Sequence, residues 1–223
     1  MIFEGHAAAW FAVVAFGAYH GLNPAMGWPL AVANGLAARR GATVFATMAP
    51  LGLGHLLAMA VVLMPFALLA WYVDWSRPIR IGAGALVLLF GVYRLTQRRH
   101  PRFLARVPPA QLTWWSFLMA TAHGAGLMLV PITLSLCGPS NEAMASHGTL
   151  MAAMGENLAV ALLVSLVHTA AMLVCGVTLA WLVYRWLGLR FITRSWFNLD
   201  AVWALSLIAA GAIGCGLALT AAG

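Results

Sequence analysis

The sequence predicts an all-α, polytopic membrane protein of six transmembrane helices, arranged as two inverted three-helix repeats. The chain of 223 residues is 63% hydrophobic and only 8% charged, with a mean hydropathy of +0.92. A surface of that composition cannot face water on all sides. Apolar runs of about 20 residues or more, long enough to cross a bilayer, recur between short polar separators.

The six apolar runs form one membrane domain covering residues 1–223. The predicted spans are residues 7–38, 43–72, 79–97, 112–137, 156–186 and 200–221. Charge, proline or glycine marks each separator between them, including residues 138–155 and 185–199. Repeat one covers about residues 7–97, repeat two covers about residues 112–221, and a basic cytoplasmic linker at about residues 98–111 joins them.

The formal net charge of +7 reflects the way in which the chain is oriented in the membrane. All twelve basic residues are arginines. With the N-terminus outside, ten of them fall in cytoplasmic separators and only Arg77 and Arg80 fall outside, as the positive-inside rule requires. We therefore expect an integral protein of a bacterial inner membrane, surrounded by lipid, with both termini extracytoplasmic. No nucleic-acid partner is expected, and a homo-oligomer is compatible with this topology.

Two motifs recur in the same order in both halves. A His-Gly pair followed by Met and then Pro begins at His20 and again at His123. The pattern HxxAMxV begins at His55 and again at His168, in the second span of each half. Two matches in corresponding spans predict an internal repeat. Because each repeat has three spans, the two repeats enter the membrane in opposite senses.

Four histidines fall near the middle of their spans. An imidazole inside the membrane costs free energy unless it is paired, bonded or hydrated, so these positions are functional candidates. Imidazole suits nickel, cobalt, copper and zinc, and a thioether favours Cu(I). The predicted metal ligands are His20, His55, His123 and His168, with Met59, Met172, Met26 and Met128 as auxiliary ligands.

Helix-breaking residues follow the first histidine of each half. They are Asn23 and Pro24 in repeat one, and Gly124, Gly126 and Pro131 in repeat two. Proline removes a backbone donor and clashes with the preceding turn, and glycine loosens a helix. Both first spans are therefore expected to be kinked or partly unwound there, and such paired breaks are typical of a substrate pathway.

The chain resembles the nickel/cobalt transporter and LysE-type exporter grouping. The likeness lies in His20-Gly21-Leu22-Asn23-Pro24, in the repeated HxxAMxV, and in Gly54-His55-Leu56-Leu57-Ala58-Met59, which is similar to the histidine motif of hydrogenase-linked nickel permeases. The resemblance implies a 3+3 inverted-repeat transporter with intramembrane histidines. The grouping's acidic signature, His followed by Asp and a second His, is absent, and Asn23 stands where a carboxylate is expected. Nickel, cobalt, copper and zinc all stay open as cargo.

A second interpretation is a di-haem b-type membrane cytochrome, or another membrane redox protein with a histidine-bound metal. Two haems across a membrane need two layers of histidines, whereas these four form one layer. The three cysteines form no CxxC pair, which argues against a dithiol conduit. The sequence therefore favours a transporter over an enzyme, with a metal ion or small metal-bearing species bound at mid-membrane and access alternating between the two sides.

Overall fold

The computed structural model describes residues 2–69, 76–96, 111–137, 147–187 and 199–220. The regular structure in these ranges is helical, which confirms the all-α class. The α-helices are α1 (Ile2–Leu22), α2 (Trp28–Ala38), α3 (Ala42–Leu69), α4 (Ser76–Thr96), α5 (Leu112–His123), α6 (Ala125–Leu136), α7 (His147–Leu182) and α8 (Leu199–Thr220). A 3-10 turn (Pro24–Met26) precedes α2, and a π-helical turn (Val183–Leu187) extends α7.

Two helices in the described ranges are long and apolar enough to cross a membrane alone. They are Ala42–Leu68 in α3 and Met154–Trp186 in α7 with its extension. The pair α5 and α6, bent by 64°, makes a third crossing if the two act as one span. The apolar segments Ala7–Leu22 of α1 and Ile81–Tyr93 of α4 are shorter.

The predicted span of residues 7–38 is two helices rather than one. The Asn23 side chain accepts a hydrogen bond from the Ala25 N–H (3.0 Å) and caps the 3-10 turn, whose first residue is Pro24. Gly27 then adopts φ +96°, a conformation that suits glycine, and α2 begins at the next residue. The indole of Trp28 donates to the Leu22 carbonyl at 3.1 Å, which satisfies an acceptor that the break would otherwise expose.

The structure also refines the predicted break in the fourth span and corrects the bounds of one predicted separator. The span of residues 112–137 divides at Gly124, which has φ +71°. The separator predicted at residues 138–155 is wrong in its second part, because α7 begins at His147. The stretch after His147 is rich in Leu, Met and Ala, which are good helix formers. The predicted linker, apart from Gln111, lies outside the described residues.

Helices α3 and α7 pack against each other at the centre of the molecule. α1 packs along α7, α5 packs along α3, and α4 pairs with α8. A buried apolar cluster joins these helices and includes Val13, Met59, Leu63, Leu129 and Val164. Large apolar side chains also cover the outside, where Phe11 is 74% and Val174 69% exposed. An apolar exterior around a packed interior suits a lipid environment.

Candidate metal centre

His20 lies in the last turn of α1 and is fully buried. Its Nδ1 is 3.1 Å from the Phe16 carbonyl, which lies one turn earlier on the same helix. A carbonyl accepts only, so Nδ1 carries the proton in this contact and Nε2 has the lone pair. Such a backbone contact fixes the tautomer and orientation of a ligating histidine.

His55 and His168 come from the two central helices. They lie within α3 and α7 and are 1% and 0% exposed. Their rings stack, with centroids 5.6 Å apart and planes 12° from parallel. The central packing of α3 against α7 thus brings together the two histidines of the repeated HxxAMxV motif.

The three rings form one compact group, the three-histidine cluster of His20, His55 and His168. His20 meets His168 edge to face at a centroid distance of 4.8 Å, and meets His55 at 5.4 Å. One ligand nitrogen from each ring lies within 4.8 Å of those of the other two. Because metal–imidazole bonds are about 2.0–2.1 Å long, small side-chain rotations would place all three nitrogens on one ion. The three-histidine cluster could therefore hold a metal.

The two central histidines leave polar atoms that a metal would satisfy. In the described part of the chain, neither ring nitrogen of His55 or of His168 makes a hydrogen bond. The backbone of Val13 is the polar neighbour of His168, outside hydrogen-bond geometry. A buried polar group without a partner costs about 1–3 kcal/mol, and most such groups in proteins are satisfied. A bound metal would offset that cost.

His123, the fourth predicted ligand, is not part of the three-histidine cluster. It is the last residue of α5 and is 2% exposed. Its Nδ1 is 2.8 Å from the Met119 carbonyl, and the ring lies within electrostatic range of His20. The structure therefore assembles three of the four predicted histidines and places the fourth nearby.

The predicted methionine ligands are all buried but lie in different surroundings. Met59 belongs to the large apolar cluster of the core, and Met172 lies one turn after His168. Met128 packs with Val87 and Leu207 in a separate apolar cluster, and Met26 ends the 3-10 turn. Their role as thioether ligands stays a prediction.

The predicted helix-break residues divide into two groups. Asn23, Pro24 and Gly124 lie at the breaks described above. Gly126 and Pro131 lie inside α6, which continues through both residues to Leu136, so the helix is not broken at either one, and a kink there stays a prediction. Pro131 is tolerated there without ending α6, and Gly126 packs against the Val62 side chain of α3, where a Cβ would collide.

Two glycines for which the sequence predicted no role position the site. A Cβ on Gly17 would collide with the His168 carbonyl, and one on Gly21 would collide with the Met172 carbonyl. These glycines let α1 lie directly against α7, which carries His20 to His168. The signal was present in the sequence, since Gly17 and Gly21 have the GxxxG spacing typical of close helix contacts in membranes.

The cluster does not suit a haem. Two axial imidazoles place their nitrogens about 4 Å apart, on opposite faces of a macrocycle that fills the plane between them, given iron–nitrogen bonds of about 2 Å. Here three imidazole nitrogens lie within 4.8 Å of one another, which is one more than the two axial positions of a haem iron can take. The donor set is three neutral imidazoles with no carboxylate or thiolate. Such a set fits a single transition-metal ion better than a porphyrin.

No protein-family model, no curated protein and no solved structure matches this chain. The function is therefore argued from the geometry of the three-histidine cluster.

Proposed function

We propose that this protein is a membrane transporter for a transition-metal ion, which binds at the three-histidine cluster. The observation that carries the proposal is the convergence of three buried imidazoles from three different helices within 4.8 Å. An intramembrane ionisable group is a functional candidate by default because its burial is costly. Three buried imidazoles that converge on one point can share one metal ion, which would explain why the protein tolerates the cost of burying them.

The chemistry of the cluster narrows the cargo. Imidazole nitrogen suits nickel, cobalt, copper and zinc, whereas magnesium and calcium prefer oxygen ligands. The three donors are neutral, so a dication would keep its full charge in a low-dielectric interior. This favours Cu(I), or a dication that carries an anion such as hydroxide into the site.

The position of His20 favours movement of the ion over permanent storage. His20 lies one turn before the break between α1 and α2, whereas His55 and His168 lie on the continuous central helices. Discontinuous helices beside a mid-membrane site are typical of transporters, because a short helix can tilt without disrupting its neighbours. A site with one ligand on a broken helix can open by losing that ligand.

The helix pairings support the finer topology of six spans in two inverted repeats. If α1 and α2 form the first span and α5 and α6 the fourth, then α1–α7 and α5–α3 are equivalent contacts in the two halves. The central pair α3–α7 and the pair α4–α8 each join equivalent helices. We therefore propose six spans in an inner membrane, with both termini extracytoplasmic, as the arginine distribution predicts.

Metal content and uptake test the proposal together. Purified protein is incubated separately with Ni²⁺, Co²⁺, Zn²⁺ and Cu⁺, and elemental analysis should find one ion per chain for at least one metal. The double variant His55→Gln/His168→Gln should lose that ion and should abolish metal uptake into proteoliposomes. His147→Gln, at the start of the same helix α7 as His168, is the matched control and should behave as the native protein.

Three results would overturn the proposal. Binding and uptake that survive the double substitution would exclude the cluster as the site. Native protein that binds none of the four ions would exclude a transition-metal cargo. A strong Soret band in the absorption spectrum of purified protein would favour the cytochrome instead.

A further inference from the structure

The two first-helix histidines share the same local chemistry. His20 Nδ1 bonds to the Phe16 carbonyl at 3.1 Å, and His123 Nδ1 bonds to the Met119 carbonyl at 2.8 Å, each four residues earlier on its own helix. In both rings this contact leaves Nε2 with the lone pair. Each histidine is buried, is followed by glycine, and stands just before a helix break. His123 is therefore prepared as a ligand in the same way as His20.

The packing relates these two histidines through the central pair. α1 lies against α7, and α5 lies against α3 in the equivalent manner. Exchanging the two halves leaves α3–α7 paired as before, so His55 and His168 trade places with each other. The same exchange puts His123 where His20 now lies. A second cluster of His55, His168 and His123 is thus the counterpart of the observed one.

The two halves pack differently, and the difference explains why His20 and not His123 joins His55 and His168 in this structure. The α4–α8 pair packs against α6 through Val87, Leu207 and Met128. Phe90 of α4 also packs at Gly124, directly after His123, where a Cβ would collide with the ring. Within the described helices, α2 has no comparable contact with α4 or α8. The α4–α8 pair thus contacts the broken region of the second half but not that of the first.

We propose a second metal site, formed by His55, His168 and His123, which the transporter uses in its alternate state. His55 and His168 hold the ion in both states, while His20 and His123 replace each other as the third ligand. The inference rests on the proposed transport function. Because His55 and His168 hold the ion throughout the exchange of sites, that step breaks one metal–nitrogen bond and forms another of the same kind, and the ion leaves the protein only in a later step. The coordination number and charge of the site do not change, so the metal–ligand bonds themselves favour neither state.

The test separates binding from transport. The probe is whichever of Ni²⁺, Co²⁺, Zn²⁺ and Cu⁺ binds the native protein. His123→Gln should keep one ion per chain, with affinity within about threefold of native, because the observed cluster is intact. Its uptake into proteoliposomes should fall at least tenfold, because the alternate site lacks its third ligand. His20→Gln should also lose uptake. Its affinity should fall at least tenfold but not vanish, because the alternate site of His55, His168 and His123 is intact while the observed structure favours the site with His20. His147→Gln should lose neither binding nor uptake.

The other outcomes are decisive. Native uptake in His123→Gln would overturn the second site while leaving the proposed function intact. Loss of binding in a monodisperse His123→Gln protein would show a single four-histidine site instead. X-ray absorption of the unmodified, metal-loaded protein asks the same question without a substitution: three imidazoles per ion support the exchange, and four overturn it. If native protein binds none of the four ions, or binds the probe without transporting it, the proposed function itself fails.

Discussion

His20 and His168 meet edge to face, with ring centroids 4.8 Å apart and planes at 78°, although they belong to opposite halves of the chain. The contact requires the α1 backbone to touch α7. Gly17 and Gly21, one turn apart from each other, provide that contact on either side of His20 in the sequence. The three-histidine cluster therefore depends on the absence of two side chains as much as on the presence of three imidazoles.

Gly17→Ala and Gly21→Ala should each weaken both stability and metal binding. The added methyl group would collide with a backbone carbonyl of α7, so α1 must shift outward and take His20 with it. Overpacking of this kind costs about 1–3 kcal/mol. We expect a lower melting temperature and at least a tenfold loss of metal affinity, measured by thermal unfolding and by equilibrium dialysis.

The matched control is Gly155→Ala in α7, where a Cβ meets nothing within 4 Å. Alanine is the better helix former by about 1 kcal/mol, so this variant should be as stable as the native protein or more stable. Native metal affinity in Gly17→Ala or Gly21→Ala would contradict the role of the close contact.

Ser116→Ala should lower stability without changing metal affinity. The buried Ser116 hydroxyl of α5 donates to the Leu51 carbonyl of α3 at 2.6 Å, at the contact equivalent to that between α1 and α7. Loss of such a bond costs about 1 kcal/mol, or about 2–4 °C in a protein of this size. Ser135→Ala removes an exposed, local bond to Ile132 and should have no effect. Equal melting temperatures for the two variants would show that the bond between the helices contributes nothing.

Metal binding should weaken as the pH falls. An imidazole binds metal only in its neutral form, so protons compete with the ion for the three nitrogens of the cluster. Burial in an apolar interior disfavours the charged imidazolium, so we expect the affinity to stay constant near neutral pH and to fall only as the medium becomes strongly acidic. Equilibrium dialysis at fixed ionic strength measures this. An affinity that rises as the pH falls would exclude histidine coordination.

Met59→Leu should leave metal binding intact. Met59 is fully buried in the same apolar cluster as Ala58, Leu63 and Val130, where leucine has a similar volume. Such a substitution costs less than about 1.5 kcal/mol. Cu⁺ affinity should stay within threefold of native in a competition assay with a chromophoric chelator. A drop of more than tenfold would make the Met59 thioether a ligand, as the sequence predicts.

Much of the site followed from sequence spacing. Repetition of HxxAMxV pointed to His55 and His168 as equivalent positions, and the structure stacks those two rings. Helix-breaking chemistry at Asn23 and Pro24 predicted the interruption after His20, which the structure shows between α1 and α2. These inferences succeeded because they depend on local backbone chemistry and on a pattern that occurs twice.

The separation of His123 could not be read from the sequence. Its motif matches that of His20, but α1 continues through Leu22 whereas α5 stops at His123. Packing decides this difference, since Phe90 from α4 fills the space beside Gly124. Spacing also did not show that α6 continues past Pro131 to Leu136. Contacts between helices that are distant in sequence therefore determine where His123 lies, which the repeated motif alone does not specify.

The ligands of the cluster come from both halves of the chain, so the site exists only when the two halves are docked. Any ion that binds there stabilises that docked state relative to separated or partly inserted halves. By mass action, free metal at a hundred times its dissociation constant adds about 2.7 kcal/mol to folding stability. A chain made in metal-replete cells would thus mature more completely than one made in starved cells. If the protein transports this metal, the metal supply would then determine the amount of folded protein as well as the transport rate of each molecule.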